Sequence, residues 1–169
     1  MEQNLENKIE VKNTLIYYYK KNKIKIIILI ISIIILILSA ISFQIYYKKK
    51  NELISEKYIK AGIFYLENEE DKSKQIYEEI LILNNSFYST LALNSILEKN
   101  LEGNKDKILE YFRKVEKLQK NKDQKDNLNF KKALYLLKNS GDLEAKKILE
   151  ELINSNSNLK NLAEEILAN

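Results

Sequence analysis

The stretch "IIILIISIIILILSAISFQIYY", residues 26–47, constrains this chain more than any other feature. It contains no charged side chain, and from Ile26 to Phe43 its only polar side chains are Ser32, Ser39 and Ser42. Wound as a helix, it would reach about 33 Å at about 1.5 Å per residue, close to the thickness of a bilayer's hydrocarbon core, about 30 Å. Lys20, Lys21, Lys23 and Lys25 precede it, and Lys48, Lys49 and Lys50 follow. Lysines at such ends extend their ammonium groups toward water, and Tyr46 and Tyr47 fall where aromatic rings settle at a membrane interface.

A cleaved leader is the competing account. Ile26 to Leu38 fits a cleavable hydrophobic region, and Ala40-x-Ser42 has the small-x-small form of a peptidase site. The segment ahead of it is long for a leader, however. The apolar pattern also runs past the site through Ile41, Phe43, Ile45 and the tyrosines. We therefore expect the segment to be retained as an anchor, with residues 1–25 before it and residues 48–169 after it. Positions 8–25 hold six lysines and positions 48–65 five, too even a balance to orient the span. Asn7 to Lys25 reads as a short helix with Leu5, Ile9 and Ile16 among its apolar positions, and as a solvated tail in preference to a membrane-surface helix. Ser32, Ser39 and Ser42 would let a second helix approach, but they read in preference as part of a lipid-facing helix whose serines bond their own backbone.

Charge divides along the same line. Residues 1–50 carry nine lysines and three glutamates, and residues 51–169 carry 19 Lys plus Arg against 21 Asp plus Glu. The basic excess therefore flanks the apolar run, while the remainder is slightly acidic, the reverse of a phosphate-binding domain. Nucleic acid is not an expected partner. Cysteine and histidine are both absent, which removes disulfides, thiolate nucleophiles and the commonest zinc ligands. It also removes the side chain that most often carries acid–base catalysis near neutral pH.

Proline is absent and there are only 3 glycines, so residues 48–169 read as all-α. The first helix runs to about residue 68, continuing from the span. A turn at Asn68–Asp71 leads to a helix carrying Ile76, Tyr77, Ile80 and Leu81. Asn84-Asn85-Ser86 breaks it, with Ser86 as the expected cap of the next helix. Leu101-Glu102-Gly103-Asn104 precedes a helix with Ile108, Leu109, Phe112 and Val115 on one face. "QKNKDQKDN", residues 119–127, reads as a polar loop capped at Asp126. After a stripe of Phe130, Ala133, Leu134 and Leu137, Gly141 is expected in a left-handed turn with Asp142 opening the next helix. The tight turns recur at intervals of 33 residues (Asp71 to Asn104) and 38 residues (Asn104 to Asp142). Such spacing predicts a tetratricopeptide-repeat-like solenoid, in which each helix pair buries its apolar face on its neighbours.

"KNSGDLEAKKILEELI" resembles the junction between the two helices of such a repeat, with Ala145 at the close contact, although Ala145 comes one residue early and the closing proline is missing. "NSFYSTLALNSILEKNLEGNKDKILEYFRKV", with "IYYYKKNKIKI" ahead of the span, resembles the YfgM-type ancillary subunits of the SecYEG translocon. The shared layout is a short basic leader, one span and a repeat-like domain. This resemblance implies an anchor in the bacterial inner membrane, a cytoplasmic N-terminus and a periplasmic helical domain. It also implies partners in the Sec translocon and a membrane-anchored periplasmic chaperone, and a role in the folding of exported proteins. The chain is shorter than typical members.

No catalytic, cofactor-binding or metal site is expected, and no small-molecule substrate. Glu69-Glu70, Glu78-Glu79, Glu150-Glu151 and Glu164-Glu165 are neighbours in sequence, and adjacent helical residues do not face each other across a substrate. They read as solvated surface charge. No nucleophile motif or phosphate loop surrounds the serines and lysines. The aromatic residues of the helical region, Tyr58, Phe64, Tyr65, Tyr77, Phe87 and Phe112 among them, are expected mainly in the core. Tyr88, Tyr111 and Tyr135 are the candidates for a partner surface. Lys23, Lys25, Tyr46, Tyr47, Lys48, Lys49 and Lys50 are the membrane-flanking set. Three functions fit: a tethered scaffold at the translocon, a tethered adaptor for another envelope assembly, or a structural subunit held through its span.

Overall fold

Neither proline nor glycine falls in the first sixty residues, since proline is absent and the first glycine is Gly62. The computed structural model describes residues 2–168, with side chains for residues 12–14 and 16–168. It places Glu2–Leu66 in one helix, α1, broken only at Asn22. The side chains of Leu5 and Ile9 lie outside the described residues. The apolar run within α1 is exposed along its length, as at Ile35 (57%) and Leu36 (67%). It is long and apolar enough to cross a membrane. Tyr46 and Tyr47 at its end meet edge-to-face at 5.9 Å.

The chain divides into two units, Met1–Asn51 and Glu52–Asn169. In the second, the end of α1 is followed by α2 (Glu70–Leu81), α3 (Ser86–Glu98), α4 (Lys105–Leu118), α5 (Lys122–Lys138), α6 (Asp142–Asn154) and α7 (Lys160–Ala168). From α2 onward each helix packs on its neighbour in sequence, and α2 also meets α4. No strand occurs among the described residues.

The helices after each tight turn bury the same register. Ser73, Tyr77 and Ile80 follow the N-cap Glu69 by four, eight and eleven residues. Ile108, Phe112 and Val115 follow Asn104 at the same intervals, as Ala145, Leu149 and Leu152 follow Gly141. None of the nine is more than 3% exposed. Four, eight and eleven residues fall on one stripe of a 3.6-residue helix, so a single buried face recurs three times. The preceding helices end alike. The chain turns left-handed at Asn68, Asn100 and Ser140 (φ 61, 51 and 55). In each case the next residue's N–H donates back across the turn: Glu69 to Phe64 O (2.8 Å), Leu101 to Ile96 O (3.0 Å) and Gly141 to Leu136 O (2.8 Å). These bonds satisfy carbonyls that a helix end would otherwise leave without partners.

Two apolar clusters result. The larger contains Ile54, Tyr77, Leu93, Ile108, Phe112 and Leu128. The smaller contains Ala133, Leu136, Ala145, Leu149, Leu152 and Ala163. Helix α5 supplies residues to both. Ala61, Ala92, Ala133, Ala145 and Ala163 are all fully buried, where the short side chain lets helices approach closely.

Three local expectations are corrected. The left-handed residue is Ser140, and Gly141 has an ordinary φ of −115. Glycine is needed there for space, since a Cβ at Gly141 would stand 2.7 Å from Leu136 Cδ2. The cap of α3 is Asn85, whose side chain accepts from Tyr88 N at 3.0 Å, and Ser86 is the first helical residue. "QKNKDQKDN" is mostly helix, because Asn121 caps α5 by accepting from Gln124 N at 2.8 Å. Asp126 lies inside that helix, 2.6 Å from Lys122 Nζ one turn earlier. Burial would raise the Asp126 carboxyl, but Lys122 and Ser157 bond to it and bring it below the usual range.

Candidate interaction groove

With Ser89, Leu93 and Ile96 buried, the inner face of α3 is fixed. Successive helical residues are about 100° apart, so Phe87 is turned well away from Ser89. It is 64% exposed, and its ring meets Tyr88 edge-to-face at 5.1 Å. Beside Phe87 lies a groove of about 360 Å³ between α3 and α5, with Leu91 and Leu128 on its apolar side and Lys131 at its rim. Among the described residues no carboxylate lines it.

A fully bonded amide holds the polar side of the groove. Gln119 is 7% exposed, a position where an unpaired amide would be costly. Its Nε2 donates to Thr90 Oγ1 (3.0 Å) and Val115 O (3.1 Å), and its Oε1 accepts from Ser86 Oγ (2.9 Å). Thr90 Oγ1 donates to Ser86 O at 2.8 Å. These bonds tie α3 to the end of α4, so the groove wall is set before anything binds. Lys131 Nζ donates to Asn94 Oδ1 at 2.9 Å, which ties the Lys131 side chain of α5 to α3. The arrangement suits an apolar side chain accompanied by an acidic group.

The three tyrosines singled out from sequence are not brought together as one exposed surface. Tyr111 is a correction: it is 5% exposed and belongs to the larger cluster. Its hydroxyl donates to Glu78 Oε1, and burial, reinforced by that carboxylate, pushes the phenol upward. Tyr88 packs half-buried against the same cluster, 6.3 Å from the Tyr58 ring. Tyr135 does likewise at 6.1 Å from Phe112, and its phenol is raised by burial first and Glu102 second.

The carboxylate pairs are more engaged than solvated surface charge. Glu79 takes Lys57 at 2.6 Å, Glu78 takes Tyr111 and Lys107, and Glu69 pairs with Lys72. Glu150 and Glu151 stay exposed. Among the described residues no group of three or more Asp, Glu, His or Cys is placed to hold a metal ion.

The sequence does not single out Thr90, Leu91, Gln119 and Lys131 as groove residues, and it places Phe87 among the expected core aromatics. The available signal was the Phe87-Tyr88 pair, since neighbouring helical side chains point about 100° apart. Gln119 carried no such signal, lying in a polar stretch that reads as loop.

No protein family, curated protein or solved structure matches this chain.

Proposed function

We propose that this chain is a membrane-anchored protein-interaction scaffold with no catalytic role. In this account the apolar part of α1 is the anchor and the helical unit carries the binding surface. The observation that carries the reading is Phe87, a large aromatic left mostly exposed beside a groove whose polar side is already satisfied. Contact areas of this kind, an aromatic anchor next to a pre-formed pocket, dominate protein recognition. The occupant is an apolar side chain of a partner protein with an acidic residue close by, because among the described residues Lys131 is the one charged group lining the groove.

The recurring burial register supports a tetratricopeptide-repeat-like solenoid of three helix pairs closed by α7. Its partner class follows from the sequence resemblance alone: the Sec translocon and a membrane-anchored periplasmic chaperone, with the helical unit in the periplasm and residues 1–25 in the cytoplasm. Affinity purification of the full chain in mild detergent tests this. Translocon or chaperone subunits should be recovered with the wild type and depleted with Phe87→Ala. Recovery unaffected by Phe87→Ala, but lost when residues 26–47 are replaced by an unrelated span, would move the binding surface to the membrane helix.

A further inference from the structure

The chain carries no acidic residue from Val11 to Asn51. Ahead of the apolar run this leaves Lys12, Lys20, Lys21, Lys23 and Lys25 with no carboxylate among them. Three tyrosines stand in the same segment, with Tyr17 62%, Tyr18 64% and Tyr19 50% exposed. Between the tyrosines and the apolar run, α1 breaks. Asn22 has φ −116 and ψ 18, outside the helical range. Its side-chain amide donates to Tyr18 O at 3.3 Å, the carbonyl that a regular helix would bond to the Asn22 backbone N–H. An asparagine that competes with the backbone in this way is a recognised cause of a kink.

We propose that residues 12–21, the acid-free stretch just ahead of Asn22, lie along an anionic phospholipid surface, with Lys12, Lys20 and Lys21 on the headgroup phosphates and Ile16 and Tyr19 turned toward the acyl boundary. This rests on reading residues 26–47 as a membrane span, and it replaces the solvated tail expected from sequence. Distance separates the two alternatives. Tyr17 to Tyr19 lie seven to nine residues before Ile26, so a straight helix would lift them about 10–14 Å beyond the hydrocarbon edge. The headgroup layer on each side is only about 5–8 Å deep. A straight helix therefore leaves three aromatic rings in water, where they gain nothing. A helix that turns at Asn22 brings them to the depth that amphipathic aromatic rings favour. Ile16 and Tyr19 are three residues apart and share a face with Lys12, whose stem can snorkel to the phosphates. Lys21 Nζ sits 5.8 Å from the centre of the Tyr17 ring, a pair suited to the same depth. A basic segment of this kind is drawn to anionic headgroups and released by salt.

The chain contains no tryptophan, so Tyr19→Trp in the full-length protein gives a single reporter on the face turned to the lipid. The protein is reconstituted in nanodiscs of phosphatidylcholine alone and of phosphatidylcholine mixed with phosphatidylglycerol. We expect blue-shifted emission and protection from aqueous quencher with phosphatidylglycerol. Both should be lost in phosphatidylcholine alone, at high salt, or when Lys12→Gln, Lys20→Gln and Lys21→Gln are added. A separate Leu36→Trp protein reports the span. Leu36→Trp emission that is blue in both lipids, with Tyr19→Trp emission red in both, would overturn the surface segment and leave the anchor standing. Red emission from both proteins would overturn the anchor and the proposal together. Equal blue shifts from Tyr19→Trp in both lipids would overturn the recognition of anionic headgroups.

Discussion

Lys74 Nζ stands 2.8 Å from Glu102 Oε2, tying α2 to the turn ahead of α4. Lys107 reaches the same oxygen at 3.4 Å, and Asn104 N donates to Glu102 Oε1 at 2.8 Å. The Glu102 side chain is 7% exposed. Burial alone would raise its carboxyl, but Lys74, Asn104 and Lys107 together hold it at about 2, against an ordinary value of 4.5. A carboxyl lowered by folding stabilises the native state above its unfolded value, and that contribution fades as the pH falls toward its folded value. Melts of the helical unit should therefore lose stability between pH 4.5 and about 2. Glu102→Gln should flatten that slope while lowering stability near neutral pH. An unchanged slope in the variant would show that the carboxylate is not held by this cluster.

The Ser140-Gly141 turn predicts two substitutions of opposite sign. Ser140 takes a left-handed φ of 55, which costs a non-glycine residue about 1–2 kcal/mol. Ser140→Gly removes that strain but adds chain entropy to the unfolded state, leaving a net gain of about 0.5 kcal/mol. Gly141→Ala drives a Cβ to within 2.7 Å of the buried Leu136 side chain and should cost about 1–3 kcal/mol. Thermal melts moving up for the first and down for the second would bear this out.

Ala145 is fully buried and Glu150 is exposed on the same helix. Ala145→Tyr should cost about 1–3 kcal/mol by overpacking, and Glu150→Gln should stay within about 0.5 kcal/mol. Equal, negligible shifts in thermal melts would contradict the shared burial register.

The broad organisation of the helical unit was readable from residue patterns because it depends on patterns that repeat. Ile108, Phe112 and Val115 mark an inner face by spacing alone, and the burial of Ala145 follows from its place one turn into a helix. The corrections fall where one residue is chosen over its neighbour. Asn85 and Ser86 are both good caps, and tertiary contact decides: Ser86 Oγ is committed to Gln119 thirty-three residues away. The α5 start was hidden because "QKNKDQKDN" has no apolar stripe, and its first turns are steadied instead by the Lys122–Asp126 pair and the Asn121 cap. The groove depends on the same long-range contacts, so no local pattern announced it.

Topology is open to chemistry because the chain has no native cysteine. Lys120→Cys, between α4 and α5, should react with a membrane-impermeant thiol reagent once the outer membrane is opened. Asn13→Cys should stay protected until the inner membrane is breached. The reverse pattern would overturn the periplasmic assignment. The membrane fraction should hold the chain near 19.9 kDa, and a soluble product beginning at Phe43 would remove the anchor.

The most direct test places a photo-crosslinking phenylalanine analogue at position 87 in the full chain, in its native membrane. The account predicts adducts with a translocon subunit or a membrane-anchored chaperone. Lys131→Glu should diminish them, and the same analogue at Glu150 should not produce them. No adduct from position 87, or equal yields from positions 87 and 150, would contradict a scaffold that binds through this groove.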